Sequence, residues 1–313
     1  MRKKILICGA SGFIGRNLFE SLSKNPNLDV YGTFFRNNFI PSQLWNLWHI
    51  DLEDKASVNT LLSEGFDVVI QAAAKTDGSL MYRLSPEKYV MANTTINQNI
   101  LEAVNEFKIP KFIFLSCSVM YPSRPWAQKE HEATDVHNAH PAYFLGAAMK
   151  MYVENLCKHY SRKGNTNFTI IRHSNCYGPH DKFNAKGHVL SATIDKVMRS
   201  DGEITVWGDG NESRDFLHVS DLARFINTVV QKKNSTFDII NLGGGELISI
   251  RNLVKKIIAL SGKKVIANYD AGKETIDAQI LLDTAHAQAA YGWQQLVPLD
   301  KGLQQTIEWY LKN

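Results

Sequence analysis

The chain has 313 residues, a formal net charge of +4 and a charged fraction of 21%. Its modest charge and dispersed basic residues give no support to nucleic-acid binding, and the length fits one large α/β domain or such a domain with a smaller companion. There is no run of about 18 apolar residues, and the apolar run after the N-terminal basic residues is shorter than a signal peptide needs, so we expect a cytoplasmic protein with no membrane partner.

The first predicted element is a strand over Ile5–Cys8 that enters a glycine-rich turn and then a helix near 13–23. Gly9 permits a tight turn, Gly12 lets the backbone approach a pyrophosphate, and Gly15 lets the helix pack on the sheet. The cofactor phosphates would then face the helix N-terminus, at the backbone of Ser11, Phe13 and Ile14. This context predicts a dinucleotide-binding turn, and the alternative is a tight turn without a ligand.

Short apolar runs then alternate with helical periodicity, which predicts a Rossmann-type doubly wound parallel sheet. The further predicted strands are Val30–Thr33, Val68–Gln71, Phe112–Leu115 and Phe168–Arg172, and the further helices lie near 54–63, 86–107 and 142–161. The four cysteines are scattered without metal-like spacing, and Cys8 and Cys117 fall in buried strands. Reduced thiols in a cytoplasm are therefore expected.

The pattern changes after Asn175, with a loop rich in Gly, Pro and His, a helix near 188–200 and a short strand over Thr205–Trp207. Residues 219–242 carry a helix and a strand, Phe237–Asn241, that fit the first domain. We therefore predict an NADP-binding Rossmann domain from 1–175 and 219–242. A smaller α/β lobe that binds the substrate is predicted from 176–218 and 243–313.

The cofactor type depends on the residues after the second strand, where a carboxylate suits the ribose of NAD and a basic residue suits the 2′-phosphate of NADP. The chain has no carboxylate there and has Arg36 close by, which favours NADP; the alternative is a solvated surface arginine. Asp51 and Leu52, after the third strand, are expected to reach the adenine. The small side chains of Ala72, Ala73 and Ala74 would let the backbone lie against the cofactor.

Several motifs together carry a family resemblance that spans nearly the whole chain. They are Gly9–Gly15, Ala72–Lys75, Phe114–Tyr121, Asn175–Phe183, Gly187–Val189, Val206–Gly208 and Arg214–Asp221. The chain resembles the extended short-chain dehydrogenase/reductases, and most of all their nucleotide-sugar branch of GDP-L-fucose synthases and related reductases. The resemblance implies NADPH reduction of a nucleotide-linked 4-keto-6-deoxy sugar, in some members with epimerisation at C3 and C5, and a homodimer formed through the helices at 86–107 and 142–161.

The resemblance also implies a tyrosine that protonates the product oxygen and a lysine one helical turn later that lowers the tyrosine pKa. Lys150 matches the lysine, but Gly146 stands four residues before it, where the tyrosine is expected. Tyr143, one turn earlier, would need a shifted helix start or a bulge to reach the site. Gly146 has three competing explanations: an engineered knockout, a natural subfamily that uses Tyr143 or water and substrate, and an inactive paralogue.

The other proton-transfer positions depart from the family as well. Cys117 stands where the family motif has a hydroxyl side chain, and Val119 stands where fucose synthases carry a cysteine, whereas the matching histidine is retained as His188. Cys117 lies on the same strand face as position 119 and could act as the acid. Its alternative interpretation is a small buried hydrophobic residue.

A nucleotide diphosphate needs cations and a flat surface for its base, and the predicted lobe supplies Arg214, Lys182, His188 and Trp207. Asn175 follows a strand at the edge where doubly wound sheets bind ligands. Alternatively, Trp207 fills the core of the lobe and Lys182 is a loop charge. The histidine spacings match no common ligand pattern, so no metal is expected.

These observations predict an NADPH-dependent reductase of a nucleotide-linked keto sugar, most simply a GDP-linked one, that serves deoxy-sugar synthesis for surface polysaccharides. One alternative is an epimerase or dehydratase that recycles a tightly bound cofactor. Another is a catalytically silent NADP(H)-binding sensor, which the missing tyrosine supports and the retained Arg214 and His188 oppose.

Overall fold

The computed structural model describes residues 2–36, 46–76, 85–185, 187–232 and 235–313. Its strands are β1 (Lys3–Cys8), β2 (Leu28–Phe34), β3 (Leu47–His49), β4 (Val68–Gln71), β5 (Lys111–Cys117), β6 (Ala127–Gln128), β7 (Asn167–His173), β8 (Asn175–Tyr177), β9 (Glu203–Trp207), β10 (Ser213–His218), β11 (Phe237–Leu242), β12 (Leu247–Ser249), β13 (Ile266–Asp270) and β14 (Leu281–Leu282).

The helices of the described residues are α1 (Phe13–Leu22), α2 (Lys55–Leu62), α3 (Pro86–Glu106), α4 (Phe144–Ser161), α5 (Val189–Arg199), α6 (Val219–Gln231), α7 (Ile250–Ser261), α8 (Ala285–Tyr291) and α9 (Leu299–Tyr310). Side-chain caps begin three of them: Asp54 accepts from the Ala56 and Ser57 amides before α2, His218 accepts from the Ser220 amide before α6, and Ser249 accepts from the Asn252 amide before α7. Gly262 ends α7 in the left-handed conformation. None of the described helices is long and apolar enough to cross a membrane.

The main sheet has seven strands in the order β11-β7-β5-β4-β1-β2-β3, and every pair is parallel. Alternate residues of β1 enter two different core layers, with Ile5 and Ile7 on one face and Leu6 and Cys8 on the other. Helices cover both faces, which explains why these strands read as continuous apolar runs. The predicted doubly wound sheet is confirmed.

The strand order reverses between β1 and β4, because the chain builds outward from β1 in one direction and then from β4 in the other. At such a point the loops that leave two adjacent strands diverge and open a crevice at the carboxyl ends of the strands. The turn after β1 and the segment after β4 therefore line the place where a ligand is expected.

A second, smaller core lies beside the carboxyl edge of the sheet. It contains the three-stranded sheet β12-β10-β8 and the parallel pair β13-β9, packed against α5, α7 and α9. The division into two domains at the boundaries given above remains a prediction. Ala287 and Trp293, which it assigns to the second lobe, pack in a core layer of the seven-stranded sheet, because α8 returns to β11.

Asp215 joins the two parts through a buried contact. Its side chain is fully buried, and Oδ1 accepts a hydrogen bond of 2.8 Å from the Gly244 amide, just after β11. A Cβ on Gly243 would lie 2.4 Å from Asp215 Oδ2, so the glycine turn packs directly against the carboxyl group. Burial raises the pKa of Asp215 to about 7.

Replacing Asp215 by asparagine is expected to stabilise the fold more at pH 8 than at pH 5. The folded-state pKa lies above the unfolded value of about 3.9, so burial of the charged carboxylate costs stability as the pH rises to about 7, and the cost persists above that pH. The amide keeps an acceptor for Gly244. Thermal unfolding should show the difference as a gain of ~2–4 °C for each kcal/mol. The exposed Asp201→Asn is the control, and an equal effect of Asp215→Asn at both pH values would contradict the explanation.

Candidate active site

Three glycines form the turn after β1, and the fold itself requires two of them. Gly9 has a φ of +80°, and a Cβ there would lie 2.6 Å from the Ala73 Cα. A Cβ on Gly15 would lie 2.1 Å from the Gly9 carbonyl oxygen. Backbone packing alone therefore excludes a side chain at both positions.

Gly12 is different, because among the described residues a Cβ there would meet only the Gly9 carbonyl oxygen, at 3.3 Å. Gly12 is also the N-cap of α1 and gives that helix no side-chain cap, so the first-turn amides face the same open space. Backbone amides at a helix N-terminus bind phosphate. The turn therefore fits the pyrophosphate of a dinucleotide, and the absent side chain at Gly12 leaves room for it.

The turn is fixed to β2. The Gly9 amide donates to Thr33 Oγ1 at 2.9 Å, and the Ala10 amide donates to the Thr33 carbonyl at 2.8 Å. Arg36 follows β2 by two residues and is exposed, with its guanidinium carbon 5.6 Å from the centre of the Phe35 ring. A cation thus stands at the end of β2, where the ribose of a bound dinucleotide is expected.

The two residues predicted to reach the adenine follow β3. The Asp51 carboxylate accepts a hydrogen bond from the Glu53 amide at 3.0 Å. Leu52 is 7% exposed and packs in the core, and its carbonyl accepts from Asn99 Nδ2 at 3.1 Å. Their adenine contacts remain predictions, and the structure gives the Leu52 side chain a packing role.

A buried amide network, which the sequence analysis missed, holds the segment after β4. The Gln71 side chain bonds both the amide and the carbonyl of Ala73, at 3.1 and 3.2 Å. The Asn93 side chain does the same for Lys75, at 2.8 and 3.0 Å. Asparagine is a poor helix former, so the repeated asparagines of α3 were the available signal. The network fixes Ala72, Ala73 and Ala74 beside the turn at Gly9.

Lys150 lies on α4 and extends to the end of β5. Its Nζ donates to the Leu115 carbonyl at 2.8 Å and lies 4.6 Å from the centre of the Phe114 ring. Burial lowers the pKa of Lys150, and the nearby Cys117 and Glu154 oppose that shift. The end of β5 is next to that of β4 in the sheet, so the ammonium stands close to the predicted cofactor crevice.

Tyr143 is brought to the same place by a local change of helix type. Residues Pro141–Tyr143 form a 3₁₀ turn, and α4 begins at Phe144, so the phenol precedes the regular helix. Burial raises the pKa of Tyr143, and the charge of Arg214 opposes the shift. The phenol is therefore protonated at neutral pH, and it lies within the electrostatic range of Arg214 and Cys117.

Cys117 ends β5 and is only partly buried. Desolvation raises the pKa of the Cys117 thiol, and the Lys150 charge opposes this effect. The group is thus a thiol at neutral pH beside an ammonium that would stabilise its thiolate. The structure brings Lys150, Tyr143 and Cys117 into one cluster, while their chemical roles remain predictions.

Gly146 is buried in the first turn of α4, one turn before Lys150. Residues four apart share a helix face, so a phenol at this position would project alongside Lys150. The structure leaves the three explanations for the glycine open.

A buried ion pair fixes α4 against the sheet. Arg172 Nη2 lies 2.6 Å from Glu154 Oε2, and Ser116 Oγ donates to Glu154 Oε1 at 2.6 Å. Arg172 Nη1 also donates to the Tyr121 hydroxyl at 3.0 Å, and that hydroxyl donates to Asn241 Oδ1 at 2.6 Å. The network links α4 to β5, β7 and β11 and so sets the height of Lys150 on the sheet.

Arg214 lies on β10 and binds main-chain carbonyls. Its Nη1 donates to the Ser213 and Ala278 carbonyls at 2.9 Å each, and its Nη2 donates to the Ile276 carbonyl. The guanidinium therefore holds the segment around Ile276–Ala278 against the site. Its predicted contact with a diphosphate remains a prediction.

The other predicted substrate residues surround this cluster. Lys182 is exposed, and its Nζ donates to the Thr76 carbonyl after β4. His188 is the exposed N-cap of α5, and Asn175 Nδ2 donates to the Asp215 carbonyl at 3.0 Å. Trp207 is 42% exposed, so it does not fill the core of the lobe. Substrate contacts of these residues stay predictions.

A cavity of about 480 Å³ lies in the second lobe between the loop after β9 and the segment after β13. Gln279 lines it, as do the carboxylate residues Asp209, Glu212, Glu274 and Asp277, with Lys273 as the one cationic residue in the described lining. Carboxylates accept hydrogen bonds and donate none when ionised, so the cavity suits a group rich in N–H or O–H donors.

Comparisons with known proteins found a family model and relatives that match this chain. The model of the NAD dependent epimerase/dehydratase family matches residues 5–243. GDP-L-fucose synthase of Escherichia coli (strain K12) is 26% identical to the chain, over 100% of the chain and 98% of that protein. A putative UDP-glucose 4-epimerase of Methanocaldococcus jannaschii is 29% identical, over 99% of each chain.

A solved structure gives the same picture of the fold. The UDP-glucuronic acid 4-epimerase of Bacillus cereus, crystallised with UDP-glucuronic acid and NAD, superposes with a TM-score of 0.83 at 26% identity. The alignment covers 99% of both chains. The chain therefore shares its fold with a protein that was crystallised with a dinucleotide and a nucleotide sugar.

Proposed function

The chain belongs to the NAD dependent epimerase/dehydratase family, and from this premise we propose that it reduces the ketone of a GDP-linked 4-keto sugar with NADPH, with epimerisation at the adjacent ring carbons. The observation that carries the proposal is the cluster of Lys150, Tyr143 and Cys117 at the carboxyl edge of the sheet, next to the glycine turn. Similarity to GDP-L-fucose synthase supports the reaction.

NADPH is proposed over NADH because exposed Arg36 follows β2 with no carboxylate in its place. When bound, the dinucleotide supplies a hydride to the ketone. The residues for holding it are the turn at Gly9–Gly15, the segment Ala72–Ala74, and Lys150, whose ammonium would bond the nicotinamide ribose. The glycine turn fits the pyrophosphate because Gly12 leaves space that no packing contact requires.

The proton chemistry belongs to the chain itself. A reduced ketone leaves an alkoxide that must gain a proton, and Tyr143 is a phenol kept protonated by burial. The charge of Arg214 favours the phenolate form of Tyr143 and would stabilise the phenolate that remains. Tyr143 is thus proposed as the acid, in a subfamily where Gly146 replaces the usual residue.

Epimerisation needs a base on one side of the sugar and an acid on the other. The C3 and C5 hydrogens are acidified by the C4 ketone, so the imidazole of His188 could remove one of them and leave an enolate. The Cys117 thiol, protonated at neutral pH because burial raises its pKa, could return a proton, and Lys150 would stabilise the thiolate. Both roles are proposals.

The acidic cavity supports a guanine base. Guanine carries adjacent N–H donors on its pairing edge, and a carboxylate can accept both of them, whereas uracil and thymine place carbonyl oxygens around a single N–H. Glu212 is 8% exposed and lines the cavity, which makes it the proposed contact. Arg214, Lys182, His188, Asn175 and Trp207 are proposed to surround the diphosphate and the sugar.

The expected result of the direct test is NADPH oxidation in equal amounts with the loss of GDP-4-keto-6-deoxymannose, faster than with NADH or with a UDP- or dTDP-linked keto sugar. Tyr143→Phe is expected to lower kcat/KM by ~10²-fold or more, because it removes the proposed proton donor. Tyr160→Phe, on the helix that follows Tyr143, is the control. Unchanged activity of Tyr143→Phe would remove Tyr143 from the mechanism.

A second function is favoured by one observation, the similarity to a putative UDP-glucose 4-epimerase over almost the whole chain. An epimerase that recycles its cofactor would form product without net NADPH consumption in the same assay. A silent sensor would bind NADPH and turn over no substrate. In that case Gly146→Tyr should restore activity if the missing tyrosine is the cause of the inactivity.

The cytoplasmic location and the homodimer remain proposals. The four cysteines are free in the structure, which suits a reducing compartment. Met91 on α3 is 70% exposed and Tyr152 on α4 is 42% exposed, and Tyr152 accepts a 2.8 Å hydrogen bond from Gln98 Nε2. These outer faces are the proposed dimer surface.

A further inference from the structure

His173 is the last residue of β7, and the mechanism above gives it no role. Its side chain is partly exposed, whereas its chain neighbours Arg172 and Ser174 are 4% and 2% exposed. The strand ends at the carboxyl edge of the parallel sheet, where doubly wound folds bind ligands. A partly exposed imidazole at this edge is therefore within reach of a ligand.

The structure places His173 beside Cys117. The two residues are register partners at the last positions of the parallel strands β7 and β5. Ile171 and Leu115, two residues earlier, pack in the same core layer, so strand alternation puts His173 and Cys117 on one face of the sheet. Neighbouring strands lie about 4.8 Å apart. The imidazole and the partly exposed thiol thus stand side by side at the edge of the sheet.

One nitrogen of the imidazole is used by the protein itself. His173 Nδ1 lies 2.8 Å from the Ser174 carbonyl oxygen and 3.4 Å from Cys176 Sγ. A carbonyl oxygen offers only lone pairs, so Nδ1 carries the hydrogen of this bond, and Nε2 of the neutral ring is then an acceptor. Among the described residues Nε2 has no hydrogen-bond partner.

The ring also stays neutral at physiological pH. Burial lowers the pKa of His173 to about 4, the bond to Ser174 opposes the shift, and the charges of Lys150 and His188 add to it. An imidazole that resists protonation is a poor proton acceptor, but its lone pair still accepts a hydrogen bond. Nε2 therefore suits a hydroxyl donor of the ligand rather than a C–H bond that has to be broken.

We propose that His173 is a substrate-binding residue whose Nε2 accepts a hydrogen bond from the C3 hydroxyl of the keto sugar. The inference rests on the proposed function and adds a specificity residue to it. Cys117 is the proposed acid at a ring carbon next to the C4 ketone, and His173 stands beside Cys117. Of the two carbons next to that ketone, C3 carries a hydroxyl, whereas C5 carries the ring oxygen and the methyl group. The C3 hydroxyl is therefore the donor available at this place.

Two substitutions at His173 separate the roles of the two ring nitrogens. The amide nitrogen of His173→Asn takes the place of Nδ1 and keeps a donor for the Ser174 carbonyl, but this variant has no acceptor at the position of Nε2. The longer side chain of His173→Gln places its carbonyl oxygen near that position and gives up the donor at Nδ1. A role limited to the Ser174 bond makes glutamine the damaging change, whereas the proposed sugar contact makes asparagine the damaging one.

The test is a calorimetric titration of the NADPH-loaded protein with GDP-mannose and with its 3-deoxy analogue. Neither sugar has a ketone, so neither is reduced and the titration measures binding alone. The wild type and His173→Gln are expected to bind GDP-mannose about fivefold or more tightly than the analogue, the effect of one neutral hydrogen bond. His173→Asn should bind both sugars equally, because the group that distinguishes them is absent. The Kd of NADPH should stay unchanged in both variants.

Three results would overturn the inference: His173→Asn still prefers GDP-mannose, His173→Gln loses the preference as fully as His173→Asn, or His173→Asn weakens NADPH binding instead, which would assign Nε2 to the cofactor. Thermal unfolding verifies that both variants fold. If the wild type binds neither sugar, the proposed GDP-linked substrate is wrong and the inference falls with it.

A measurement on the ring nitrogens needs no turnover. In protein labelled with ¹⁵N-histidine, nuclear magnetic resonance shows which nitrogen carries the hydrogen, and the His173 signals are those missing from His173→Gln. At pH 7 the Nε2 signal should be that of a nitrogen without hydrogen, and it should shift with GDP-mannose but not with the 3-deoxy analogue. A hydrogen on Nε2 in the free protein would overturn the inference whatever the affinities are.

Discussion

Lys150→Met is expected to lower kcat/KM for NADPH-dependent reduction by ~10²–10⁴-fold while leaving the fold at least as stable as the wild type. The ammonium stands at the end of β5, 2.8 Å from the Leu115 carbonyl, beside Cys117 and next to the crevice between β1 and β4. Its loss removes the proposed bond to the nicotinamide ribose and the positive charge that supports Cys117.

The stability of Lys150→Met should rise although its activity falls. Burial lowers the pKa of Lys150, so holding the charged form at neutral pH costs the folded state free energy, and methionine of similar length removes that cost. Thermal unfolding and steady-state kinetics together check this opposite behaviour. Lys158→Met, at the exposed end of the same helix, is the matched control. Full activity in Lys150→Met would show that the cluster is not the reaction centre.

Gly15→Ala is expected to lower the stability of the fold, whereas Gly12→Ala is expected to lower the affinity for the cofactor, although both residues belong to the same turn. A Cβ on Gly15 would lie 2.1 Å from the Gly9 carbonyl oxygen, so backbone must move, at a cost of about 1–3 kcal/mol or more. A Cβ on Gly12 meets the same oxygen at 3.3 Å, and Gly12 has φ −80° and ψ 169°, which alanine adopts readily. That contact is tight, so the Gly9 carbonyl must shift by a few tenths of an ångström, and Gly12→Ala should therefore lose much less stability than Gly15→Ala.

The affinity for NADPH should then show whether the glycine turn binds a ligand. The methyl group at position 12 would occupy the space assigned to the pyrophosphate, and a loss of about 1.4 kcal/mol or more in binding is tenfold or more in the Kd of NADPH. Fluorescence titration of NADPH measures the affinity, and calorimetric unfolding measures the stability. If Gly12→Ala is stable and binds NADPH with wild-type affinity, the glycine turn is not the pyrophosphate site on which the proposed function depends.

The cluster around Lys150 shows how far reasoning from sequence could go. The sequence predicted Lys150 on the helix near 142–161 and a strand over Phe168–Arg172, and the structure has the 2.6 Å ion pair between Glu154 and Arg172 that joins these two elements. For Tyr143 the sequence could state only a requirement: the helix start would have to shift for the phenol to reach the site. The structure has a 3₁₀ turn at Pro141–Tyr143, so the regular helix begins one residue after Tyr143; the His140 side chain caps this turn by accepting from the Ala142 amide.

The sequence by itself determined the parallel sheet, the glycine turn and the helix that carries Lys150, because hydrophobic periodicity and glycine geometry are properties of neighbouring residues. Tertiary structure alone decided that Arg214 holds the carbonyls of Ile276 and Ala278, and that Trp293 packs on the main sheet. These contacts join residues more than 50 positions apart. No local pattern encodes them, since they depend on which surfaces meet when the two cores close.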